Sequence, residues 1–216
     1  MLPRQAARAH APQHEGIAVI ALIDYGAGNL TSVRKALAAV GAEVSIPRVP
    51  SDLDTAEGVI VPGVGNFQRT TALDSEWRDG IIGAVERGRP LLGICLGLQW
   101  LFEGSTEAPA CVGLSLMTGQ CDRLKGSWPL KVPHVGWNGV EFPRASRLFE
   151  GIQNGSQVYF THSYAAPVTN DAVAVTTHGV PFASAVERGH VFGVQFHPEK
   201  SGDIGLRVLK NFLDAV

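Results

Sequence analysis

PLLGICLGLQWLF, residues 90–102, joins an apolar run of strand length to an apolar stretch of helical length through a cysteine set between two glycines. PLLGI (90–94) reads as a strand buried on both faces, and Leu96 to Phe102, apolar on nearly every side, as a buried helix. A cysteine that is only core packs as a small hydrophobe and needs no glycine two residues away on each side. Gly93 and Gly97 therefore ask for a backbone reason. A sharp strand-to-helix elbow supplies one: it holds a nucleophile in a strained conformation while small residues keep close neighbours from clashing. Cys95 is the expected nucleophile, with the amides at the helix start favouring its thiolate and available to an oxyanion.

Outward from this segment the same alternation recurs. GIAVIALID (16–24) is a buried strand leading into YGAGN (25–29). Leu30, Val33, Leu37 and Val40 then mark one face of a helix that Gly41 closes. EVSIP (43–47) and GVIVP (58–62) are short strands, and Trp77, Ile81, Ile82 and Val85 mark a helix stopping at Gly88. In the second half QVYFT (157–161), AVAVT (172–176), ASAVE (183–187) and HVFGVQF (190–196) are strand-like with short connections. A last helix through Ile204, Val208, Leu209 and Phe212 starts near Ser201 or Asp203 as its cap. The expectation is an α/β fold of three layers: a mainly parallel sheet, helices on both faces, and additional antiparallel strands in the second half. Functional sites in such sheets gather at the C-terminal strand ends.

With 216 residues and 45% of them hydrophobic, the chain is long enough for one well-cored domain, here residues 16–216. A net charge of -2 gives no basic footprint for nucleic acid, and no stretch approaches the roughly 20 apolar residues that span a bilayer. Cys95, Cys111 and Cys121 are too few for a disulfide framework and fit a reducing, cytoplasmic compartment. Residues 1–15, polar and rich in Ala and Pro, lack the apolar centre of a secretory signal and are expected to be a disordered extension, with a mis-assigned start codon as the alternative.

A nucleophilic thiol needs a base, and the base an orienting partner. FGVQFHPEKS (192–201) offers both: His197 ends a strand, Pro198 biases it toward an extended backbone, and Glu199 stands two residues on, able to point to a similar side. A Cys95-His197-Glu199 triad follows. VPGVGNF (61–67), a second glycine loop after a strand, offers backbone amides for the other half of an oxyanion hole. Its alternative reading is a plain strand-end turn.

PGVG, GICLGLQ and FHPEKS in this order resemble a class I (triad) glutamine amidotransferase. YGAGN, KVPHVGWN (131–138) and YFTHSY (159–164) are similar to one branch of that family, the glutaminase subunits of imidazole glycerol phosphate synthase in histidine biosynthesis. The resemblance implies that Cys95 attacks the glutamine carboxamide, His197 shuttles protons and Glu199 orients it. It implies oxyanion donors at the Val64 and Leu96 amides, and substrate contacts at Gly65, Gln99, Glu107, Ser163 and Tyr164. The implied partner is a separate (β/α)8-barrel cyclase subunit in a heterodimer, which receives the ammonia, with Gly28, Asn29, His134, Trp137, Asn138, Tyr159 and Lys200 at or near the contact. No cofactor and no metal are implied. Val135 stands where methionine is common in this family, Thr161 where valine is common, and the segment before Gly16 is longer than usual.

Four other readings remain open on the residues alone. YGAGNLT follows a strand and opens a helix, but Thr31 takes the place of the third glycine of a dinucleotide fingerprint. A redox or stress protein would share the cysteine elbow without needing His197 and Glu199. A non-catalytic binding subunit, or an amidotransferase of another pathway, is also compatible with parts of the pattern. His134, His162 and His197 lack the close spacing of zinc motifs. His10, His14, His178 and His190 read as surface or loop residues, and Cys111 and Cys121 as structural thiols.

Overall fold

The computed structural model describes residues 18–126 and 130–216. The expected extension over residues 1–15 lies outside them. In chain order the strands are β1 (Val19–Leu22), β2 (Glu43–Ser45), β3 (Gly58–Gly63), β4 (Leu91–Cys95), β5 (Gly104–Ser105), β6 (Gln120–Arg123), β7 (His134–Gly139), β8 (Gln157–His162), β9 (Tyr164–Ala165), β10 (Ala172–His178), β11 (Val180–Arg188) and β12 (Val191–Val194). The helices are α1 (Leu30–Ala39), α2 (Ser75–Glu86), α3 (Leu96–Leu101) and α4 (Gly202–Leu213).

Seven strands form the main sheet in the order β10-β11-β12-β4-β3-β1-β2. From β12 through β2 every pairing is parallel, while β10-β11 and β11-β12 are antiparallel. This is the mainly parallel sheet with added antiparallel strands that the alternating pattern predicts. The buried runs feed both faces because successive side chains in a strand point opposite ways. Ile20, Leu22, Ile60, Leu92 and Ile94 pack on one side with Val33 and Leu37 of α1 and Val208, Leu209 and Phe212 of α4. Ala21, Ile23, Val59, Val61 and Leu91 pack on the other with Ile81 and Ala84 of α2 and Leu98 of α3. All six residues of α3 are buried, as a helix apolar on nearly every side requires, with Gln99 its one polar side chain.

Two details differ from the sequence reading. KVPHVGWN contributes a strand, β7, which pairs antiparallel with β8 in a separate two-stranded sheet. Ser201 does stand at the N-cap of α4, but its hydroxyl does not cap the helix. It donates to the His197 carbonyl at 2.7 Å and accepts from the Tyr159 amide at 3.0 Å, tying the triad turn to β8.

β4 lies in the middle of the sheet, between β3 and β12. Its register sets Cys95 beside Gly63 and Ile94 beside Val194, so the C-terminal ends of three adjacent strands come together. The candidate site is built on that edge.

Candidate active site

Cys95 leaves β4 with φ +54° and ψ -104° and occupies the N-cap of α3. A positive φ on a residue with a Cβ costs about 1–3 kcal/mol and persists only where surrounding packing enforces it. Here the enforcement comes from the glycines. A Cβ on Gly93 would sit 2.6 Å from the Gly97 carbonyl group, and one on Gly97 would overlap the Val61 carbonyl of β3. Helix and strand approach closely because both positions lack side chains, and that approach forces the elbow.

The sulfur receives the Gln195 side-chain amide at 3.5 Å and lies 4.0 Å from the Thr161 carbonyl, with Cys95 5% exposed. Gln195 is fully buried, and its Oε1 accepts from Gln99 Nε2 at 3.1 Å. The sequence reading missed Gln195, although a signal existed: it is a polar residue inside the apolar run HVFGVQF.

His197 lies three residues beyond β12, at the N-cap of the short 3-10 turn Pro198–Lys200, and not on the strand end itself. Its backbone is extended, and Nδ1 bonds Glu199 Oε1 at 2.8 Å with both side chains nearly inaccessible. His197 Nε2 is buried and completes no hydrogen bond, nor does Glu199 Oε2. Burial, the largest influence on the imidazole, pulls its pKa down; the interactions and charges of Cys95 and Glu199 outweigh it and hold the pKa up at about 10. Cys95 and Glu199 thus favour the protonated form of the imidazole. Catalytic hydrogen bonds of this type commonly close only with substrate in place.

A pocket of about 340 Å³ opens over the sulfur, lined among others by Gly65, Leu96, Gln99, Glu107, Ser163 and Tyr164. All five residues expected to hold substrate thus line one cavity with Cys95. Asn66, Pro133, Thr161 and His162 line it too and were not anticipated. Glu107 Oε2 accepts from the Phe67 amide at 2.7 Å, which fixes the carboxylate beside the loop that follows β3. Gln99 Nε2 donates to the Tyr164 carbonyl at 2.8 Å, joining the nucleophile helix to the opposite wall.

The Val64 amide, expected as an oxyanion donor, is engaged elsewhere: it donates to the Ala27 carbonyl at 2.5 Å. Val64 is exposed and does not line the pocket. Gly65 beside it has φ +96°. Under this loop Tyr25 Oη is buried without a hydrogen-bond partner, packed so closely that a Cβ on Gly63 would overlap it.

The residues expected at a partner contact separate into two sets. Val135 and Trp137 are each 56% exposed on the outer face of β7, with Tyr159 beside Trp137 at 6.1 Å between ring centroids. Lys200 places its ammonium over the Tyr159 ring at 5.8 Å. His134 departs from the expectation: it is 4% exposed, because strand alternation turns it to the inner face opposite Val135. Asn138 is half-buried on that inner face, bonded to His134 and to the Thr177 carbonyl. Asn29 caps α1 through its side chain, and Gly28 packs against Pro62. His178, expected at the surface, stacks on His134 at 4.1 Å. Among the described residues no group of His, Cys, Asp or Glu is arranged to hold a metal ion, and no helix is long and apolar enough to cross a membrane.

Comparison with known proteins adds to this geometry. The family model of class-I glutamine amidotransferases matches residues 21–216. The chain is 49% identical over 203 residues to the imidazole glycerol phosphate synthase subunit HisH of Moorella thermoacetica, covering 91% of this chain and 95% of that one. It is 45% identical over 202 residues to the subunit of the same name from Bacillus cereus, covering 92% and 95%. Among solved structures it is similar to a glutamine amidotransferase, with a TM-score of 0.71 at 20% identity over 92% of this chain and 98% of that one. A similar likeness holds to PurLQS from Thermotoga maritima, with a TM-score of 0.72 at 20% identity over 92% and 99%. Likeness at that identity speaks to the fold.

Proposed function

Because the chain belongs to the class-I glutamine amidotransferase family, we propose that it works as the glutaminase subunit of an imidazole glycerol phosphate synthase, supplying ammonia for histidine biosynthesis. The observation that carries this reading is a strained Cys95 that opens on a pocket and acts on the imidazole of the buried His197-Glu199 pair, on a chain 49% identical to a subunit of that name.

In this reading the Cys95 thiolate attacks the side-chain carbonyl carbon of glutamine, and the carbonyl oxygen becomes an oxyanion. His197 gives its Nε2 proton to the leaving nitrogen, ammonia departs, and a glutamyl thioester remains on Cys95. His197, now neutral, takes a proton from water as the water adds to the thioester. Collapse of that second intermediate frees glutamate and restores the thiolate and imidazolium. Glu199, bonded to Nδ1, holds the ring so that Nε2 faces the sulfur. The pocket suits glutamine: Glu107 offers a carboxylate to the amino group, and the Ser163-Tyr164 wall offers polar contacts to the amino-acid end.

Leu96, first residue of α3, has an amide without an intrahelical partner and serves as one oxyanion donor. The second is the Val64 amide, which must leave the Ala27 carbonyl first. One misaimed oxyanion donor costs about 2.7–4 kcal/mol of transition-state stabilisation, a factor of roughly 10²–10³ in rate. The isolated subunit is therefore slow, and docking of a partner that reorients the Gly63-Val64 peptide raises the rate. We take that partner to be a (β/α)8-barrel cyclase subunit seated against Val135, Trp137, Tyr159 and Lys200. Holding glutamine hydrolysis back until an acceptor is present prevents waste of the amide nitrogen.

Glutamate release by the purified chain, alone and with a histidine-pathway cyclase subunit carrying its nucleotide ligand, tests the reading. The expected result is a stimulation of about 10²-fold or more. A rate unchanged by partner and ligand contradicts the gating and the pathway together.

A further inference from the structure

The buried imidazoles of His134 and His162 belong to none of the steps above, yet they are joined in an unbroken polar chain. His162 Nδ1 lies 2.9 Å from the Tyr164 carbonyl, and His162 Nε2 lies 3.0 Å from His134 Nδ1. His134 Nε2 lies 3.3 Å from Asn138 Nδ2, which also donates to the Thr177 carbonyl at 3.1 Å. Asn138 Oδ1 accepts from the Gly139 amide at 2.8 Å, which fixes the orientation of its amide group.

Both ends of this chain dictate its direction. A carbonyl oxygen only accepts, so His162 carries its proton on Nδ1 and donates to Tyr164. Its Nε2 is then an acceptor, and His134 must donate from Nδ1. That leaves His134 Nε2 to accept from Asn138. Every group is satisfied in one arrangement: two neutral imidazoles, both in the Nδ1-protonated tautomer. A proton added to His162 would set two N–H groups against each other.

The surroundings enforce the neutral state. His134 and His162 are 4% and 6% exposed, and the His134 ring is stacked between Phe160 at 4.7 Å and His178 at 4.1 Å. Burial, followed by the charge of His178, pushes His134 down to about 4. His162 is pushed down to about 3, chiefly by burial and against the raising effect of its bond to the Tyr164 carbonyl.

The chain ends on the wall of the glutamine pocket. The Tyr164 carbonyl takes a second donor, Gln99 Nε2 from the nucleophile helix, and the neighbouring Ser163 carbonyl accepts from the Leu124 amide at 2.8 Å. We propose that His134 and Asn138, although outside the lining of the pocket, are positioning residues for glutamine: acting through His162, they fix the Tyr164 carbonyl and with it the Ser163-Tyr164 segment against Gln99. This rests on the glutaminase reading, in which that segment holds the amino-acid end of the substrate.

Glutamine saturation curves of the complex with a cyclase subunit test the assignment. Loss of the donor in His134→Leu is expected to raise KM for glutamine about five- to tenfold, with kcat changed by less than about twofold. Asparagine carries an N–H near the place of Nδ1, so His134→Asn should return KM to within about twofold of the parent. Nitrogen chemical shifts of the unaltered protein at neutral pH should show both imidazoles neutral and protonated on Nδ1. An unchanged KM in a folded His134→Leu, or either ring protonated on Nε2, overturns the proposal. If the leucine variant does not fold, the asparagine variant and the tautomers decide. Absence of glutamate release by the unaltered complex would contradict the glutaminase reading and leave the tautomers to judge the polar chain.

Discussion

Cys95→Ala is expected to lower glutamate release by a factor on the order of 10⁴ to 10⁶, the loss typical when a covalent nucleophile is removed from a triad. The fold should survive, because the sulfur's hydrogen-bond contacts with Gln195 and the Thr161 carbonyl are long, at 3.5 and 4.0 Å, and alanine removes one atom without adding any. Circular dichroism and the thermal transition should match the parent. The chemistry makes a second demand that separates a lost nucleophile from a damaged complex. If the chain contributes ammonia alone, an ammonium salt at mildly alkaline pH should restore product formation by the cyclase complex of the variant. Glutamate release within tenfold of the parent would remove Cys95 from the mechanism.

The largest effect on stability is expected at Gly97. Its added Cβ would overlap the Val61 carbonyl oxygen and lie 2.9 Å from the Val61 carbon, both backbone atoms of β3. Neither side can yield. β3 is locked between β1 and β4, and α3 is buried along its whole length. A Gly97→Ala substitution should therefore cost more than the 4–5 kcal/mol that marks an exceptional point mutant, on the order of the whole stability of a domain. The expected observation is loss of the cooperative thermal transition or of soluble protein. Gly41→Ala is the control: it adds a Cβ with nothing within 4 Å at φ +90°, for a cost of about 1–2 kcal/mol. Equal transitions for the two variants would refute the argument that close approach at the elbow demands glycine.

Much of the scaffold was legible because its signals are local and redundant. The continuous apolar runs of β1, β3 and β4 announce strands buried on two faces, and the glycines around Cys95 announce a turn that only a close backbone approach explains. β7 was not legible, and its pattern shows why. In HVGWNG the apolar Val135 and Trp137 face outward while His134 and Asn138 face inward, an inversion of the rule by which amphipathic strands are recognised. The resemblance that sets the whole of PHVGWN at or near the partner contact does not separate the two faces of the strand, so it also includes His134, whose hydrogen bonds are satisfied inside. The engagement of the Val64 amide left no trace either, since the orientation of a single peptide plane has no residue signature. Ser201 shows a third kind of miss, a residue of cap-forming type diverted by the tertiary structure to hold His197 and Tyr159.

The central claim is that Cys95 carries the glutamyl group. Its most direct test is acid quenching of the cyclase complex during turnover of glutamine, followed by mass analysis of the peptide containing Cys95. The account predicts that this peptide gains the mass of glutamine less ammonia, that the adduct is released by hydroxylamine as a thioester would be, and that it is absent from Cys95→Ala. Steady glutamate production with no adduct on Cys95, or with an adduct on another residue, would contradict it.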